Sequence, residues 1–163
     1  MKIAITGHTQ GIGQGLFQRL SPNAIGFSKS TGYNITKRED RQRIISECSE
    51  CDVFINNATE EFGQTYMFLE LFNEWKNLNK TIINVGSRIA DIICLTKDKH
   101  HLLKYQAEKL ILKEMSYRTV GNVCKIKYQT FGYVGTEKIL AKYPHFTSRD
   151  YITIDKAVDM ILS

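Results

Sequence analysis

Tyr105 and Lys109 lie four positions apart within residues 102–117, a stretch whose apolar pattern predicts a helix. Residues at this spacing share one helix face, so the lysine ammonium is expected near the tyrosine phenol. A positive charge there favours the phenolate and lowers the pKa of the tyrosine toward the range of a general acid or base. An exposed Tyr and Lys on an amphipathic helix would have the same spacing, so the pair alone leaves both interpretations open.

Three glycines, Gly7, Gly11 and Gly13, follow an apolar run over residues 2–6 and precede large apolar residues at helical spacing. This order predicts a strand, a tight turn and a helix. Glycine lets the backbone turn off the strand and approach a pyrophosphate, while the helix N-terminus offers free N–H groups to the anion. No Gly-Lys-Ser/Thr follows, which argues against a nucleoside triphosphatase. The sequence therefore predicts a phosphate-binding βα unit.

Ser28, Lys29 and Ser30 follow the predicted second strand, where NAD-binding units usually carry an acidic residue for the ribose 2′-hydroxyl. Two hydroxyls and an ammonium suit a 2′-phosphate, and this segment holds no carboxylate that would repel it. We therefore predict NADP(H) in preference to NAD(H), with Lys29 as the main charge partner. A polar surface turn is the alternative, because Ser and Lys are common in turns.

The elements that carry these residues alternate along the chain. Six strands are predicted, over residues 2–6, 24–27, 33–36, 51–55, 81–85 and 122–129, with helices over residues 14–20, 37–48, 62–78, 102–117 and 156–162. Thr153 is the expected N-cap of the last helix. This alternation predicts an α/β fold, a doubly wound parallel sheet with helices on both faces. Asn56, Asn57 and Ser87 would then lie at its carboxyl edge, where ligands bind in such sheets.

Composition limits the remaining possibilities. With 163 residues, 42% of them hydrophobic, and two prolines, the chain reads as one globular domain. Its 22 basic and 17 acidic residues give a net charge of +5, but the cations are spread over many elements and no nucleic-acid-binding motif appears. Neither a signal peptide nor a membrane span is recognisable, so the expected location is the cytosol.

Four cysteines, Cys48, Cys51, Cys94 and Cys124, are scattered over predicted core elements. Cys48 and Cys51 have the spacing of half a zinc site or of a redox pair. A second ligand pair is absent from the sequence, and the two residues come late in a helix instead of at its start. We therefore predict free structural thiols and no metal site.

Five motifs, in chain order, resemble those of the short-chain dehydrogenase/reductase family. They are Thr6-Gly7-x-x-x-Gly11-Ile12-Gly13, Asn56-Asn57-Ala58, Asn84-Val85-Gly86-Ser87, Tyr105-Gln-Ala-Glu-Lys109 and Phe131-Gly-Tyr-Val-Gly-Thr136. Each motif alone is weak evidence for the family, but five motifs in this order on the expected strands and helices are specific evidence for it. The resemblance spans nearly the whole chain.

The resemblance implies hydride transfer between a nicotinamide cofactor and a small carbonyl or alcohol substrate. Tyr105 would exchange the proton, Lys109 would also bind the nicotinamide ribose, and Ser87 would orient the substrate. The implied cofactor contacts are Gly7, Thr9, Gln10, Gly11, Ile12 and Gly13 at the pyrophosphate, Asn56, Asn57 and Ala58 on the adenosine side, and Val134 and Thr136 at the nicotinamide amide. Relatives dimerise through the helices that begin here near Phe62 and Leu102, so a homodimer is expected.

Several features depart from the family pattern. Ser87 and Tyr105 are farther apart in the sequence than in most relatives, so the connection must bulge if both reach one substrate. Gln64 is the nearest candidate for the family's helper Asn, and Glu108 replaces the usual small residue before the lysine. One helix stands where relatives have two, the closing strand has no counterpart, and the substrate lid is reduced to residues 137–151.

Two other functions remain open. A non-catalytic nucleotide sensor or scaffold would fit the shortened lid, although such a protein has no need of Ser87, Tyr105 and Lys109 together. An epimerase or dehydratase acting on a nucleotide sugar is opposed by the glycine spacing and by the lack of a substrate domain. The apolar residues Ile89, Ile92, Ile93 and Tyr133 point to a partly hydrophobic ligand.

Overall fold

Five parallel strands form the central sheet in the computed structural model, which describes residues 1–91, 100–119 and 121–163, without the side chains of residues 100–102. The strands are β1 (Ile3–Thr6), β2 (Ala24–Phe27), β3 (Val53–Asn56), β4 (Thr81–Ser87) and β5 (Lys125–Phe131). Their order in the sheet is β2-β1-β3-β4-β5. The predicted contributions of Ile92, Ile93 and Cys94 lie outside the described residues.

Six α-helices accompany the strands in the described ranges. They are α1 (Gly11–Leu20), α2 (Arg38–Glu47), α3 (Gly63–Trp75), α4 (His100–Arg118), α5 (Glu137–Lys142) and α6 (Ile154–Leu162), with short 3₁₀ turns at Lys29–Thr31 and Arg88–Asp91. The hydroxyl of Thr153 accepts a hydrogen bond from the Lys156 N–H, which confirms it as the N-cap of α6. Helix α5 lies within the segment that the sequence assigned only to a lid.

Two hydrophobic clusters cover the two faces of the sheet. Ile44 of α2, Phe68 of α3 and Leu112 of α4 belong to one cluster. Leu16 of α1 and Val158 of α6 belong to the other. Burial on both faces explains why the central strands are almost continuously apolar. The predicted fold class, a doubly wound parallel α/β sheet, is confirmed.

The strand predicted over residues 33–36 is wrong, because local hydrogen bonds use the backbone groups that a ladder would need. The Tyr33 N–H donates to the Ser28 carbonyl at 3.0 Å. The Asn34 N–H donates to Asp40, and the Asn34 side-chain oxygen accepts from both the N–H and the hydroxyl of Thr36. Asn side chains that close such turns compete with regular structure. Ile35 is buried all the same, which explains the apolar signal.

Helix α3 is apolar over a wider face than one sheet contact needs, and core packing accounts for nearly all of it. Met67, Phe68, Leu71 and Trp75 are buried. Tyr66 is the large α3 residue left exposed. The width of the apolar face therefore reflects packing between the sheet, α2 and α4.

The segment between β5 and α6 is anchored where it leaves and rejoins the fold. The Gly135 N–H donates to the Ile152 carbonyl at 2.9 Å, and the Ile152 N–H donates to the Tyr133 carbonyl at 3.1 Å. A Cβ on Gly135 would lie 2.4 Å from the Tyr151 ring, so glycine is needed for this close approach. Residues 136–151 thus leave the fold and return to it at nearly the same point.

Cys48, Cys51 and Cys124 are free and buried, as predicted for structural thiols. Burial raises the pKa of Cys48 to about 12, so its thiol stays protonated and unreactive at neutral pH. Over the described ranges, no helix combines the length and the apolar character that crossing a membrane requires.

Candidate active site

The glycine loop follows β1 at the point where the sheet order reverses. Gly7 and Gly11 have φ angles of +73° and +52°, which favour glycine. A Cβ on Gly13 would lie 2.0 Å from the Gly7 carbonyl oxygen, so the first turn of α1 can approach the loop only without a side chain. Gln10, the N-cap residue of α1, makes no side-chain capping bond. The loop therefore has the shape and the free N–H groups of an anion cradle.

Thr6 joins the carboxyl ends of β1 and β3. Its hydroxyl accepts hydrogen bonds from the N–H groups of Asn57 at 2.9 Å and Ala58 at 3.0 Å. The Asn57 side chain donates to the Thr6 carbonyl at 3.1 Å. Asn56, in contrast, is fully buried and donates to the Gln64 carbonyl and to Asn84. Asn57 and Ala58 thus line the crevice as predicted, whereas the Asn56 side chain belongs to the core.

A first cavity, of about 530 Å³, opens beside the glycine loop. It is lined by eight of the predicted cofactor residues: Gly7, Thr9, Gln10, Ser28, Lys29, Ser30, Asn57 and Ala58. Phe27, Tyr33 and Ile35 supply an apolar wall, and Thr59 and Glu60 complete the lining. The residues chosen from the sequence for the adenosine and phosphate side therefore surround one space.

Lys29 forms an ion pair with Glu60 in this cavity, with 2.6 Å between Nζ and Oε1. The segment at residues 28–30 itself holds no carboxylate, but Glu60 brings one to Lys29 from another part of the chain. Glu60 comes from the turn after β3, which the sheet order places beside the end of β1, so no pattern near Lys29 announces it. Ser28 and Ser30 are also engaged, with His8 at 2.9 Å and Thr9 at 3.2 Å.

A second cavity, of about 580 Å³, lies at the ends of β4 and β5. Its lining includes the predicted residues Ile12, Asn57, Ser87, Tyr105, Val134 and Thr136. Asn57 and Thr59 border both cavities, so the two spaces adjoin across the sheet switch point. Gly11, Gly13, Asn56 and Lys109 are not among the lining residues of either space in the described part of the chain.

Ser87 and Tyr105 meet in the second cavity despite the long connection between them. Both residues line this cavity, and Ser87 lies close enough to the phenol of Tyr105 to lower its pKa. Two ties bring α4 back to the end of β4: Gln106 donates to the Ile89 carbonyl at 3.0 Å, and Lys113 forms an ion pair with Asp91. The turn at Arg88–Asp91 begins this connection, and residues 92–99, over which the sequence predicted a bulge, lie outside the described residues.

Lys109 lies below the cavity floor, and its side chain is only 1% exposed. Its ammonium is 5.1 Å from the centre of the Tyr105 ring, so the two groups are close, as predicted. Three acceptors surround it: Thr59 Oγ1 at 2.9 Å, Glu108 Oε2 at 3.0 Å, and the side-chain oxygen of Gln64. The lysine is thus held inside the protein instead of projecting into the cavity.

The pKa of Tyr105 is raised above its ordinary value, opposite to the predicted direction. Burial is the main cause, the hydrogen bond from Ser87 lowers the pKa, and the negative charge of Glu108 raises it again. Burial also lowers the pKa of Lys109 and raises that of Glu108, while each charge favours the other. Glu108 offsets the positive charge that was expected to favour the phenolate.

Gln64 connects the groups around Lys109. Its side chain is fully buried and donates to the carbonyls of Asn56 at 2.6 Å and Val85 at 2.8 Å. Its oxygen accepts from Lys109 and from the Thr59 hydroxyl. The residue named as the nearest counterpart of the helper Asn therefore contacts Lys109 directly, through its side chain.

Several residues of the two cavities were not found from the sequence. They are Thr59, Glu60, Arg88, Ile139, Lys142 and Tyr143. Thr59 and Glu60 directly follow the Asn-Asn-Ala motif, and Arg88 directly follows Ser87, so extending those motifs by two positions would have identified three of them. Ile139, Lys142 and Tyr143 lie within the predicted lid, residues 137–151, but no motif singled them out. Their position depends on the contact between the Tyr143 and Tyr133 rings, which joins separate parts of the sequence pattern.

Known structures with the same architecture were found by comparison. A short-chain dehydrogenase from Burkholderia cenocepacia J2315, in complex with NADP, is 18% identical with a TM-score of 0.77, over 99% of this chain and 84% of that chain. A short-chain dehydrogenase/reductase from Caenorhabditis elegans, with cofactor, is 15% identical with a TM-score of 0.75, over 99% and 86%. An actinorhodin polyketide ketoreductase variant with NADPH is 14% identical with a TM-score of 0.71, over 99% and 88%.

Sequence comparisons gave no match, either among protein-family models or among curated proteins. At the identities found, the structural similarity establishes the fold. The chain therefore has the fold of the short-chain dehydrogenases/reductases.

We predict that Glu108→Gln lowers the pKa of Tyr105, because the variant removes the negative charge that opposes the phenolate. The tyrosines are titrated by difference absorbance, and each protein is compared with the same protein carrying Tyr105→Phe. The difference between the two titrations gives the pKa of Tyr105 alone. Glu114→Gln is the matched control, since it makes the same change at an exposed position of α4. A Tyr105 pKa that stays the same or rises in Glu108→Gln would contradict this account of the site.

Proposed function

We propose that this chain, which has the fold of the short-chain dehydrogenases/reductases, is an NADP(H)-dependent oxidoreductase that acts on a small carbonyl or alcohol substrate. The observation that carries the proposal is that Ser87 and Tyr105 line one cavity, which adjoins the glycine-loop cavity at Asn57 and Thr59. One space would hold the adenosine end of a dinucleotide and the other its nicotinamide with the substrate.

The residues present fit such a cofactor. A Cβ on Gly13 would fill the approach between α1 and the loop, and α1 directs its free N–H groups toward the loop. Thr6 fixes Asn57 and Ala58 at the wall between the cavities. The loop residues Gly7, Thr9, Gln10, Gly11, Ile12 and Gly13 would hold the pyrophosphate, and Val134 and Thr136 would contact the nicotinamide end.

In the proposed reaction, a nicotinamide cofactor supplies or accepts the hydride when bound. Ser87 and Tyr105 line the same cavity, where their hydroxyls would hold the carbonyl oxygen of the substrate. Tyr105 Oη then donates its proton to that oxygen as the carbonyl carbon gains the hydride. A phenol with a raised pKa is protonated at neutral pH, which favours carbonyl reduction over the reverse reaction.

The preference for NADP(H) rests on Lys29, with Ser28 and Ser30 beside it. A 2′-phosphate would compete with Glu60 for the Lys29 ammonium, and its two negative charges give it the advantage over one carboxylate. NAD(H) would lack this interaction and would leave the ion pair unchanged. The charge at position 29 therefore separates the two cofactors.

A nucleotide sensor without catalytic activity is the second candidate. One observation favours it: the Lys109 ammonium is enclosed by three acceptors and is directed away from the space where a cofactor ribose would lie. Such a protein would bind the nucleotide and reduce no substrate. Binding and turnover must therefore be measured separately.

We also propose that the protein is cytosolic and forms a homodimer. The three described thiols are unpaired, which fits the reducing cytosol. Helix α4 exposes Leu103, Leu110 and Tyr117, which are seven residues apart and therefore lie along one side of the helix. We propose that this side forms the core of a homodimer interface.

We predict that the protein binds NADPH more tightly than NADH, as followed by nucleotide fluorescence. Lys29→Ala should weaken NADPH binding about tenfold, because a charge-assisted hydrogen bond to phosphate is lost. Glu60→Gln should strengthen it, because Lys29 is released from its ion pair. Lys37→Ala, at an exposed position outside both cavities, is the control. If neither nucleotide binds, the oxidoreductase proposal fails; equal affinities refute only the preference.

We predict that Tyr105→Phe slows NADPH-dependent carbonyl reduction about 100-fold or more, because the proton donor is lost. Tyr66→Phe, at an exposed position of α3 outside both cavities, should leave the rate unchanged. The wild-type rate should fall as the pH rises through the raised pKa of Tyr105, and in Glu108→Gln this fall should move to lower pH. NADPH binding without turnover of any carbonyl would favour the sensor.

We predict that Leu110→Glu converts the dimer to a monomer in analytical ultracentrifugation, because a carboxylate would be buried at the centre of the interface. Leu140→Glu makes the same change on α5 and should leave the dimer intact. A wild-type protein that is monomeric at all concentrations, or a dimer that tolerates Leu110→Glu, would refute the α4 interface.

A further inference from the structure

The second cavity has a one-sided charge. Arg88 and Lys142 both belong to its lining, and among its lining residues in the described part of the chain there is no Asp or Glu. The first cavity differs, because its Lys29 is neutralised by Glu60 at 2.6 Å. Charge is thus compensated where the adenosine end is proposed to bind and left uncompensated where the substrate is proposed to bind.

Arg88 is held close to the proposed reaction centre. It directly follows Ser87 and begins the 3₁₀ turn after β4. Its Cδ lies 3.7 Å from the position that a Cβ on Gly132 would occupy, so its stem crosses from the end of β4 to the turn after β5. Within residues 1–91, 100–119 and 121–163, its guanidinium makes no ion pair. Its donors are therefore available to a ligand beside Ser87.

Lys142 ends α5 on the other side of the same cavity. Its ammonium lies 5.4 Å from the centre of the Tyr143 ring, and no carboxylate of the described residues pairs with it. Tyr143 packs edge-on against Tyr133 at 5.4 Å between ring centres, and both rings line the cavity. Ile89 and Ile139 add aliphatic wall. The space therefore offers two cations and an apolar surface.

We infer that the substrate is a carbonyl or alcohol compound that carries an anionic group, a carboxylate or a phosphate, on a partly apolar body. Arg88 binds the anion next to the oxygen held by Ser87 and Tyr105, and Lys142 adds charge from the opposite wall. This inference rests on the proposed function, because it assigns the second cavity to the substrate. A planar guanidinium with several donors suits carboxylate and phosphate alike.

Two matched pairs of probes test the charge and separate the two kinds of anion. Benzoylformate and its methyl ester share an aromatic body and a ketone and differ in one negative charge. Glyceraldehyde 3-phosphate and glyceraldehyde form the corresponding pair for phosphate. Affinities are measured by ligand-observed NMR on the full chain, both without cofactor and with NADP⁺, and each probe is then assayed for NADPH oxidation.

We expect at least one anion to bind about tenfold more tightly than its neutral partner. Arg88→Gln should reduce the affinity for that anion about tenfold, and Lys142→Gln, which removes a point charge without the forked donors of a guanidinium, about threefold. Neither variant should change the affinity for the neutral partner. Lys138→Gln is the matched control: it removes an exposed cation of α5 that does not line the cavity, and it should bind all probes as the wild type does.

The inference is overturned if, in both pairs, the anion and its neutral partner bind with the same affinity. The same follows if Lys138→Gln lowers the affinity for the anion as much as Arg88→Gln does. It is also overturned if Arg88→Gln and Lys142→Gln lose affinity for NADP⁺ and the anion alike, since the two cations would then serve the cofactor. Because binding is measured without cofactor as well, the two failures are distinguishable. A charge preference without NADP⁺ binding refutes the proposed function and leaves only an anion site, whereas NADP⁺ binding without charge preference refutes this inference alone.

Discussion

The geometry of the candidate site depends on the buried side chain of Gln64. Its amide donates to the ends of β3 and β4 through the carbonyls of Asn56 and Val85, and its oxygen receives Lys109 from α4. One residue in the first turn of α3 thus sets the distance between two strands and one helix. A buried amide with all its partners in place is rigid, because any shift would leave a polar group without a partner in a medium of low dielectric constant.

Lys109 and Glu108 extend this constraint to the electrostatics of the site. A buried ammonium is tolerated because Glu108, Thr59 and Gln64 surround it, and a buried carboxylate is tolerated because the ammonium is next to it. Burial raises the pKa of Tyr105, and the charge of Glu108 raises it further, so the phenol stays protonated at neutral pH. The protonation of Tyr105 thus depends on Glu108, which lies within the motif, as well as on burial.

The sequence predicted those features that depend on local pattern. The βα alternation and the glycine loop follow from periodicity and from the edge at which parallel strands end, whereas the resemblance to a known family implied that Ser87 and Tyr105 share one site. The prediction failed where contacts between distant segments decide. Glu60 reaches Lys29 across the sheet switch point, Asn34 closes a turn that removes the expected strand, and Asn56 faces the core although its neighbour faces the cavity. The effect of Glu108 was missed because neighbours in sequence usually point apart on a helix, whereas here the long Lys109 side chain bends back to it.

The anchoring of residues 136–151 at Gly135 and Ile152 has a consequence for how such a protein can change over evolutionary time. The two ends of the segment lie close together, so it forms a closed loop. The entropy cost of closing a loop grows only slowly with its length, so added residues destabilise the fold little. Insertions there reshape the wall that contains Tyr143 and Lys142 without moving the sheet, Gln64 or Tyr105. The fold thus separates a part that can diversify from a part that must be kept, and new ligand preferences can be acquired at nearly constant stability.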